Sequence, residues 1–461
     1  MKPLTLVECV RAIRGRSLNK VSSANVTGVS IDSRTVARGD LFFAIHGERA
    51  DGHDFVRDAL ERGAVSAVVS RPELFAEPGA DRFIMVRDTI EALGRLGAYH
   101  RCQLGASVIA VTGSNGKTTT RELIHHILSG SRPGRQAPKS FNNEIGVPLT
   151  LLSPGAADEF LVVELGSNAP GEIQHLAELA EPDIGVLVSI GPAHLAGLGS
   201  VEGVAREKLS LFAHLRAGGL AVVPADEPLA KLEPPKSGSR TVVRFGESAS
   251  ADIRMTAFRQ RADGFDLQYN RRFDVHVPML GRFNALNALA AIVVARRFGL
   301  EHEQIADRLA SFRSPAMRLE RMMIGDVEVI LDAYNANPAS TQAALDVFDS
   351  IKTTRRRVVV LGDMGELGEH SKELHREIGL RLARSSVRSL VCIGKEAGFA
   401  AARCGKAVRC HRFGDTEAAI DALDDWLKPG DLVLLKGSRS MRLERITEAM
   451  QKRVSIPAAG R

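Results

Sequence analysis

The sequence predicts an α/β protein of three domains, and three observations carry that expectation. The β-branched run Val108-Ile109-Ala110-Val111-Thr112 leads into a glycine-bearing turn and then a helical pattern. Strand and helix patterns alternate after it, and the alternation starts afresh beyond Ser314-Pro315. A length of 461 residues accommodates about three domains at roughly 150 residues each. The expected division is a small α/β domain over 1–101, a central domain with a mostly parallel sheet of the phosphate-loop type over 102–313, and a Rossmann-like α/β domain over 314–461.

The central turn is the most informative stretch. It reads Gly113-Ser114-Asn115-Gly116-Lys117-Thr118-Thr119 and opens a helix expected over 119–128. Backbone N–H groups of such a loop and of the helix N-terminus face an anion, and glycines let the backbone approach it. Lys117 would neutralise outer phosphates, and Thr118 would offer a hydroxyl to Mg²⁺. The spacing is a minority form. Two residues separate Gly113 from Gly116, where the common loop has four before its Gly-Lys pair. The plainer alternative is a strand-to-helix turn whose glycines serve geometry alone. No Asn-Lys-x-Asp guanine motif follows.

In chain order, the first domain offers two short strands around Val29 to Arg34 and Gly39 to Ile45, then a turn at Asp51-Gly52-His53 and a helix from Phe55. Ser33 and Arg34 read equally as a turn with a solvated arginine and as an anion site. In the central domain, Phe141-Asn142-Asn143-Glu144-Ile145-Gly146-Val147-Pro148 reads as a loop. Residues 159–166 read as a buried strand that ends on Glu164, and 184–190 as another leading to His194. The two side chains are expected at the ends of neighbouring strands, where open sheets bind ligands. Together, beside the phosphate loop, they read as metal ligands.

The helix after Ser200 places Lys208 in the middle of an apolar face formed by Val201, Val204, Ala205, Phe212 and Leu215. Either its amine snorkels to water, or it is desolvated with a depressed pKa. Residues 231–238 look like a Pro-rich surface excursion. Residues 241–278 alternate as strands with a turn at Asp263-Gly264, and helices are expected over 281–298 and 302–312. In the last domain, strands are expected over 327–332, 357–362, 389–393 and 431–435. Their ends carry Asp332-Ala333-Tyr334-Asn335-Ala336-Asn337-Pro338, Gly362-Asp363-Met364-Gly365-Glu366 and Lys436-Gly437-Ser438-Arg439. No Gly-x-Gly-x-x-Gly occurs, so a dinucleotide cofactor is not expected.

Bulk properties exclude several classes. The balance of 44% hydrophobic and 25% charged residues is that of a globular chain, with no apolar run of membrane-spanning length. The N-terminal stretch carries Glu8, Arg11 and Arg14 and does not read as a signal peptide. Five scattered cysteines without a Cys-x-x-Cys pair suggest neither a disulfide framework nor a cysteine zinc site, and a cytoplasmic setting is expected. The net charge of +6 is interleaved with acids and meets few aromatics, so no nucleic-acid partner is expected. The chain reads as a monomer.

Taken together, these motifs resemble the Mur ligases, ATP-dependent amide ligases that build the peptidoglycan stem peptide. The likeness runs across almost the whole chain. Its most selective pieces are the stretches 141–148, 332–338 and 435–439, which look like those of the member that joins D-alanyl-D-alanine to UDP-N-acetylmuramoyl-tripeptide. The resemblance implies that Ser33 and Arg34 line a UDP-sugar pocket and that the central domain binds MgATP. Gly113, Ser114, Asn115, Gly116, Lys117, Thr118 and Thr119 would cradle phosphates. Thr118, Glu164 and His194 would hold Mg²⁺, together with Lys208, which matches a carbamylated lysine of the family. Lys117, His194 and Lys208 would be the catalytic side chains. Asn284 and Asn287 would lie near the adenine, Arg318 at phosphate and Asp332 at ribose. Asn142, Asn143, Asn335, Asn337, Lys436 and Ser438 would face the incoming dipeptide. Two alternatives stay open. One is the sister ligase that adds the third stem residue, whose Asp-Asn-Pro-Arg motif is missing here. The other is a phosphate-loop switch or motor acting on a protein partner.

Overall fold

The computed structural model describes residues 1–19, 22–76, 79–230 and 241–455; the expected excursion at 231–238 lies outside them. Three sheets of five, nine and six strands follow one another along the chain, beside a two-stranded ribbon near the N-terminus. Each large sheet has apolar clusters on both faces, the arrangement a parallel sheet needs because both its faces are buried.

The central sheet explains where the site lies. Its order runs Phe273–Val277, Phe265–Tyr269, Ile253–Gln260, Thr241–Gly246, Leu220–Pro224, Ile184–Leu187, Ser107–Thr112, Phe160–Glu164 and Gly134–Gln136. The inner strands are parallel, and the last three in sequence form an antiparallel meander that includes the expected turn at Asp263-Gly264. The strands that lead to Glu164 and His194 are not neighbours. The phosphate-loop strand runs between them and pairs with both. Sequence order alone does not reveal such an insertion, because parallel strands joined by helices need not sit side by side.

Element boundaries shift in informative ways. The helix after the phosphate loop starts at Lys117, two residues before the expected start. The stretch expected as loop over 141–148 gives rise to a helix at Gly146–Leu151. Proline is tolerated in a first helical turn, and Asn143 Oδ1 accepts from the Gly146 N–H at 2.9 Å.

The last sheet contains the four expected parallel strands and two more. Its order is Glu320–Ile324, Val327–Asp332, Leu432–Lys436, Arg357–Gly362, Ser389–Ile393 and Arg409–Phe413. The additional strands are the two edges, half exposed and rich in charge, so they lack the apolar run that marks a central strand. Lys436 is the last residue of its strand rather than part of a loop, and it lies in register with Asp332.

Helix Thr89–Cys102 joins the first sheet to the central domain. It packs on helices Gly146–Leu151 and Glu172–Ala180 as well as on its own domain. Gly97 meets Pro148 so closely that a Cβ there would come within 3.0 Å of the proline Cα. Arg101, fully buried, donates to the carbonyls of Ala180 and Glu181 at 2.8 and 2.9 Å and to Asp183 at 2.7 Å.

Candidate active site

Gly116 takes φ of +82°, and a Cβ there would come within 2.5 Å of Asn287 Oδ1. A side chain is therefore excluded twice, by backbone conformation and by space. The loop is braced from the adjacent strand end. Ser114 N–H donates to Ser189 O at 2.9 Å, Asn115 N–H donates to Ser189 Oγ at 3.0 Å, and Ser114 Oγ exchanges hydrogen bonds with the Gly191 backbone at 2.9 Å. Lys117 folds back across the loop, donating to Gly113 O at 2.7 Å. Burial lowers its pKa, while the Glu164 carboxylate opposes that shift.

Glu164 is a buried carboxylate surrounded by donors. Thr118 Oγ1 donates to it at 2.9 Å, Asn142 Nδ2 at 3.1 Å and Arg121 at 3.4 Å. Arg318, from the start of the last domain, donates to Thr118 Oγ1 at 2.9 Å and lies over the Tyr334 ring, with its Cζ 4.4 Å from the centroid. Thr118 thus links the central domain to the last one.

Lys208 settles the choice left open by its helical face. Its side chain is 0% exposed, and its amine has no hydrogen-bond partner among the described residues. It therefore does not snorkel. Burial, aided by repulsion from Lys117, pulls its pKa down to about 7. The helix that carries it is fixed by its neighbour Glu207, whose carboxylate accepts from Gly171 N–H at 2.7 Å and Ile173 N–H at 2.6 Å. The sequence reading missed this clamp, which caps the N-terminus of helix Glu172–Ala180.

A cleft of about 940 Å³ lies between the central and last sheets. Ser114, Asn115, Gly116, Lys117, Thr118, Thr119, Asn142, Asn143, Glu164, His194, Asn284, Asn287, Arg318, Asp332, Asn335, Asn337 and Lys436 line it. Gly113 and Lys208 are not part of that lining; Gly113 O accepts from Lys117, and Lys208 lies near enough to Lys117 for the two amines to repel. Besides Arg318 with Thr118, further contacts bridge the cleft: Asn337 Nδ2 donates to Asn115 Oδ1 at 2.8 Å, and Tyr334 meets Ser140. Another pairs His194 Nδ1 with Glu366. Both of these residues hold left-handed backbone, at φ of 53° and 62°, a strain that clusters at functional positions. The His194 imidazole beside it holds the Glu366 carboxyl below its usual range. Glu366, Ser189, Tyr334 and Ser140 were absent from the sequence-based site. The stretch around Glu366 had stood out as polar, but its partner comes from another domain.

Several expected residues have local occupations. Lys436 Nζ donates to Asp332 Oδ2 at 2.6 Å and to Asn335 O at 2.9 Å. Ser438 Oγ accepts from Gly365 N–H at 2.8 Å and is not part of the cleft lining. Asn287 Nδ2 donates to Asn284 Oδ1 at 2.9 Å, and Asn284 Nδ2 to Leu280 O at 2.8 Å. Ser33 and Arg34 lie in the first domain, away from this cleft; Arg34 is exposed and its guanidinium folds back on Asp32.

The donor set suits a magnesium ion held partly by phosphates. Among the described residues no three His, Cys, Asp or Glu side chains converge into a metal cage. Mg²⁺ is bound through one or two carboxylates, waters and nucleotide oxygens, and the buried Glu164 beside Thr118 answers to that.

The comparisons agree with this chemistry. Residues 111–295 match the Mur ligase middle domain, 317–439 the glutamate ligase domain of Mur ligases, and 25–101 the catalytic domain of the Mur ligase family. The UDP-N-acetylmuramoyl-tripeptide–D-alanyl-D-alanine ligase of Bacillus subtilis is 35% identical over 92% of this chain and 93% of its own. The crystal structure of MurF from Acinetobacter baumannii superposes with a TM-score of 0.87 at 30% identity, over 98% of this chain and 99% of that one. MurF ligase from Thermotoga maritima, in complex with ADP, gives 0.82 at 29% identity over 94% and 99%. The chain belongs to the Mur ligase family and is an ATP-dependent ligase that forms carbon–nitrogen bonds.

Proposed function

We propose that this enzyme joins D-alanyl-D-alanine to the terminal carboxylate of UDP-N-acetylmuramoyl-tripeptide, using ATP and Mg²⁺, in peptidoglycan precursor synthesis. The observation that carries the reading is the cleft itself. It brings a phosphate loop from the central sheet against amide- and cation-bearing strand ends of the last sheet, so nucleotide and acceptor amine can meet in one volume. The alternative of a switch or motor gives no reason for such a lining. We place the enzyme in the cytoplasm, acting as a monomer, with boundaries near 101 and 313.

A carboxylate does not accept an amine unaided. Its oxygen attacks the γ-phosphorus, ADP leaves, and the acyl phosphate then has a good leaving group. The amine nitrogen attacks the acyl carbon, and phosphate departs. Lys117 and Arg318 neutralise charge on the transferring group, which is where such sites act most strongly. When bound, Mg²⁺ screens phosphate charge and polarises the group being transferred. Thr118 and Glu164 would hold one ion; His194 and Lys208, the latter as its carbamate, would serve a second. A neutral, desolvated amine can add CO₂ and release a proton, and the resulting carbamate would present the oxygen ligands that Mg²⁺ prefers. Asn142, Asn335 and Asn337 would orient the dipeptide, and Ser33 and Arg34 the UDP end.

A site built to pair the distant carboxylate of a dipeptide leaves its own polar groups unmatched when a single amino acid binds. Phosphate release with D-alanyl-D-alanine should exceed that with free D-alanine, L-lysine or meso-diaminopimelate by ~10²-fold or more. Mass spectrometry of the product provides the check. Comparable rates with a free diamino acid would move the assignment to the sister ligase.

A further inference from the structure

The last domain carries a thiol pair that ligase chemistry does not use. Cys404 follows helix Gly398–Ala401, Gly405 turns the chain through φ of +82°, and Cys410 stands on Arg409–Phe413, an edge strand. The two sulfurs lie 3.0 Å apart, with Cys404 buried and Cys410 exposed. A disulfide has an S–S distance of about 2.0 Å, so a movement of about 1 Å separates the two thiols from a bond. Side-chain rotation at an exposed edge strand supplies movement of that size. Burial pushes the thiol of Cys404 up to about 12, and does the same to Cys392 on the adjoining strand. The solvent-facing sulfur is therefore the one an oxidant meets first.

We propose that Cys404 and Cys410 form a reversible dithiol–disulfide site that takes oxidants of the peroxide class, with Cys410 as the entering thiol. The Cys410 sulfur attacks one peroxide oxygen, the O–O bond breaks, and water leaves after proton transfer, giving the sulfenic acid. The Cys404 sulfur then attacks Cys410 Sγ, and the hydroxyl departs as a second water. Two electrons pass from the sulfur pair to the peroxide, and both thiol protons end in water. A thiol reductant reverses the change by exchange.

The sequence makes the test specific. Trypsin cuts after Arg403, Lys406, Arg409 and Arg412, which isolates Cys404-Gly405-Lys406 and Cys410-His411-Arg412 as separate peptides. The full-length enzyme is treated with stoichiometric hydrogen peroxide, its remaining thiols are alkylated, and it is digested without reduction. The expected product is these two peptides linked, two hydrogens lighter than their sum, with two of the five thiols lost and regained after dithiothreitol. Cys404→Ser should leave Cys410 as a sulfenic acid that dimedone traps. Cys410→Ser, at the exposed position, should leave Cys404 unoxidised and tests the order of events even where Cys404→Ser fails to fold. Five free thiols after treatment, a Cys410 sulfinic acid with Cys404 unlinked, or a bond to Cys392 would each overturn the assignment.

Discussion

The central domain meets its two neighbours in opposite ways. Toward the first domain the contact has an apolar core and buried side-chain to backbone hydrogen bonds. Leu93 and Leu96 of the joining helix share an apolar cluster with Leu152 of the central domain, and Arg101 spends its donors on backbone carbonyls and Asp183. Toward the last domain, contacts across the cleft are polar, and most of their side chains are proposed to meet nucleotide, metal or dipeptide: Asn337 with Asn115, Arg318 with Thr118 and Glu366 with His194. Apolar packing on that side is concentrated around Leu280 and Phe283, which join the core of the last domain. Buried apolar area and satisfied backbone groups fix a joint. Exchangeable polar pairs allow it to open, because water and ligand can replace each partner. The first joint should therefore govern stability and the second activity.

The hardest test of that division is Lys208→Ala. The cavity left by its methylenes is offset in part by removal of a buried amine without a partner, so the fold should survive the change. Turnover should fall by ~10³-fold, and short-chain carboxylic acids should partly restore it. Retained activity that ignores bicarbonate removal would reduce this lysine to a packing residue. Next comes Lys117→Ala, expected to lower turnover by at least ~10²-fold at unchanged thermal stability. Steady-state kinetics on purified, folded protein decides it, and near-normal turnover would sink the phosphate-loop role.

Arg101→Ala probes the opposite side. It orphans two carbonyls and leaves a cavity, for a loss of about 2–4 kcal/mol in urea unfolding with turnover of the folded enzyme unchanged. Asp183 keeps about a third of its side chain in water, which holds the loss below that of a fully buried pair. Reduced turnover at full stability would break the comparison. The smallest effect belongs to Asn337→Ser. Serine preserves the N-cap that Asn337 provides to helix Pro338–Ser350 but is too short to reach Asn115. One lost hydrogen bond across the cleft should raise KM by ~2- to 10-fold, with the melting temperature unmoved. A stability loss matching a core substitution would show that this joint is also structural.

The contrast between joints also explains what could be read in advance. Local chemistry was legible. The Gly-Lys-Thr turn, Glu164 at a strand end and Lys208 on an apolar face each depend on residues within a few positions; the first two line one cleft, and Lys208 is buried close enough to Lys117 for their charges to repel. The Glu164 and His194 strands were expected side by side because the sequence carries no mark of the strand inserted between them. The edge strands Glu320–Ile324 and Arg409–Phe413 escaped because their charge hides the alternation. Arg101 and Glu366 escaped because their partners are distant in sequence. Arg101 needs carbonyls some eighty positions away, and Glu366 needs the docking of a separate domain. A side chain whose role is defined by another domain leaves no local period to detect.

The joining helix Thr89–Cys102 has one further consequence. With the UDP end held at Ser33 and Arg34, as proposed, and the phosphate loop fixed to the same rigid pair of domains, the span between them is a ruler. A stem peptide whose carboxylate stops short of the phosphate loop, or overruns it, would be rejected by length. Selection for the acyl substrate would then be a measurement of distance, leaving the strand ends of the last domain to judge only the amine.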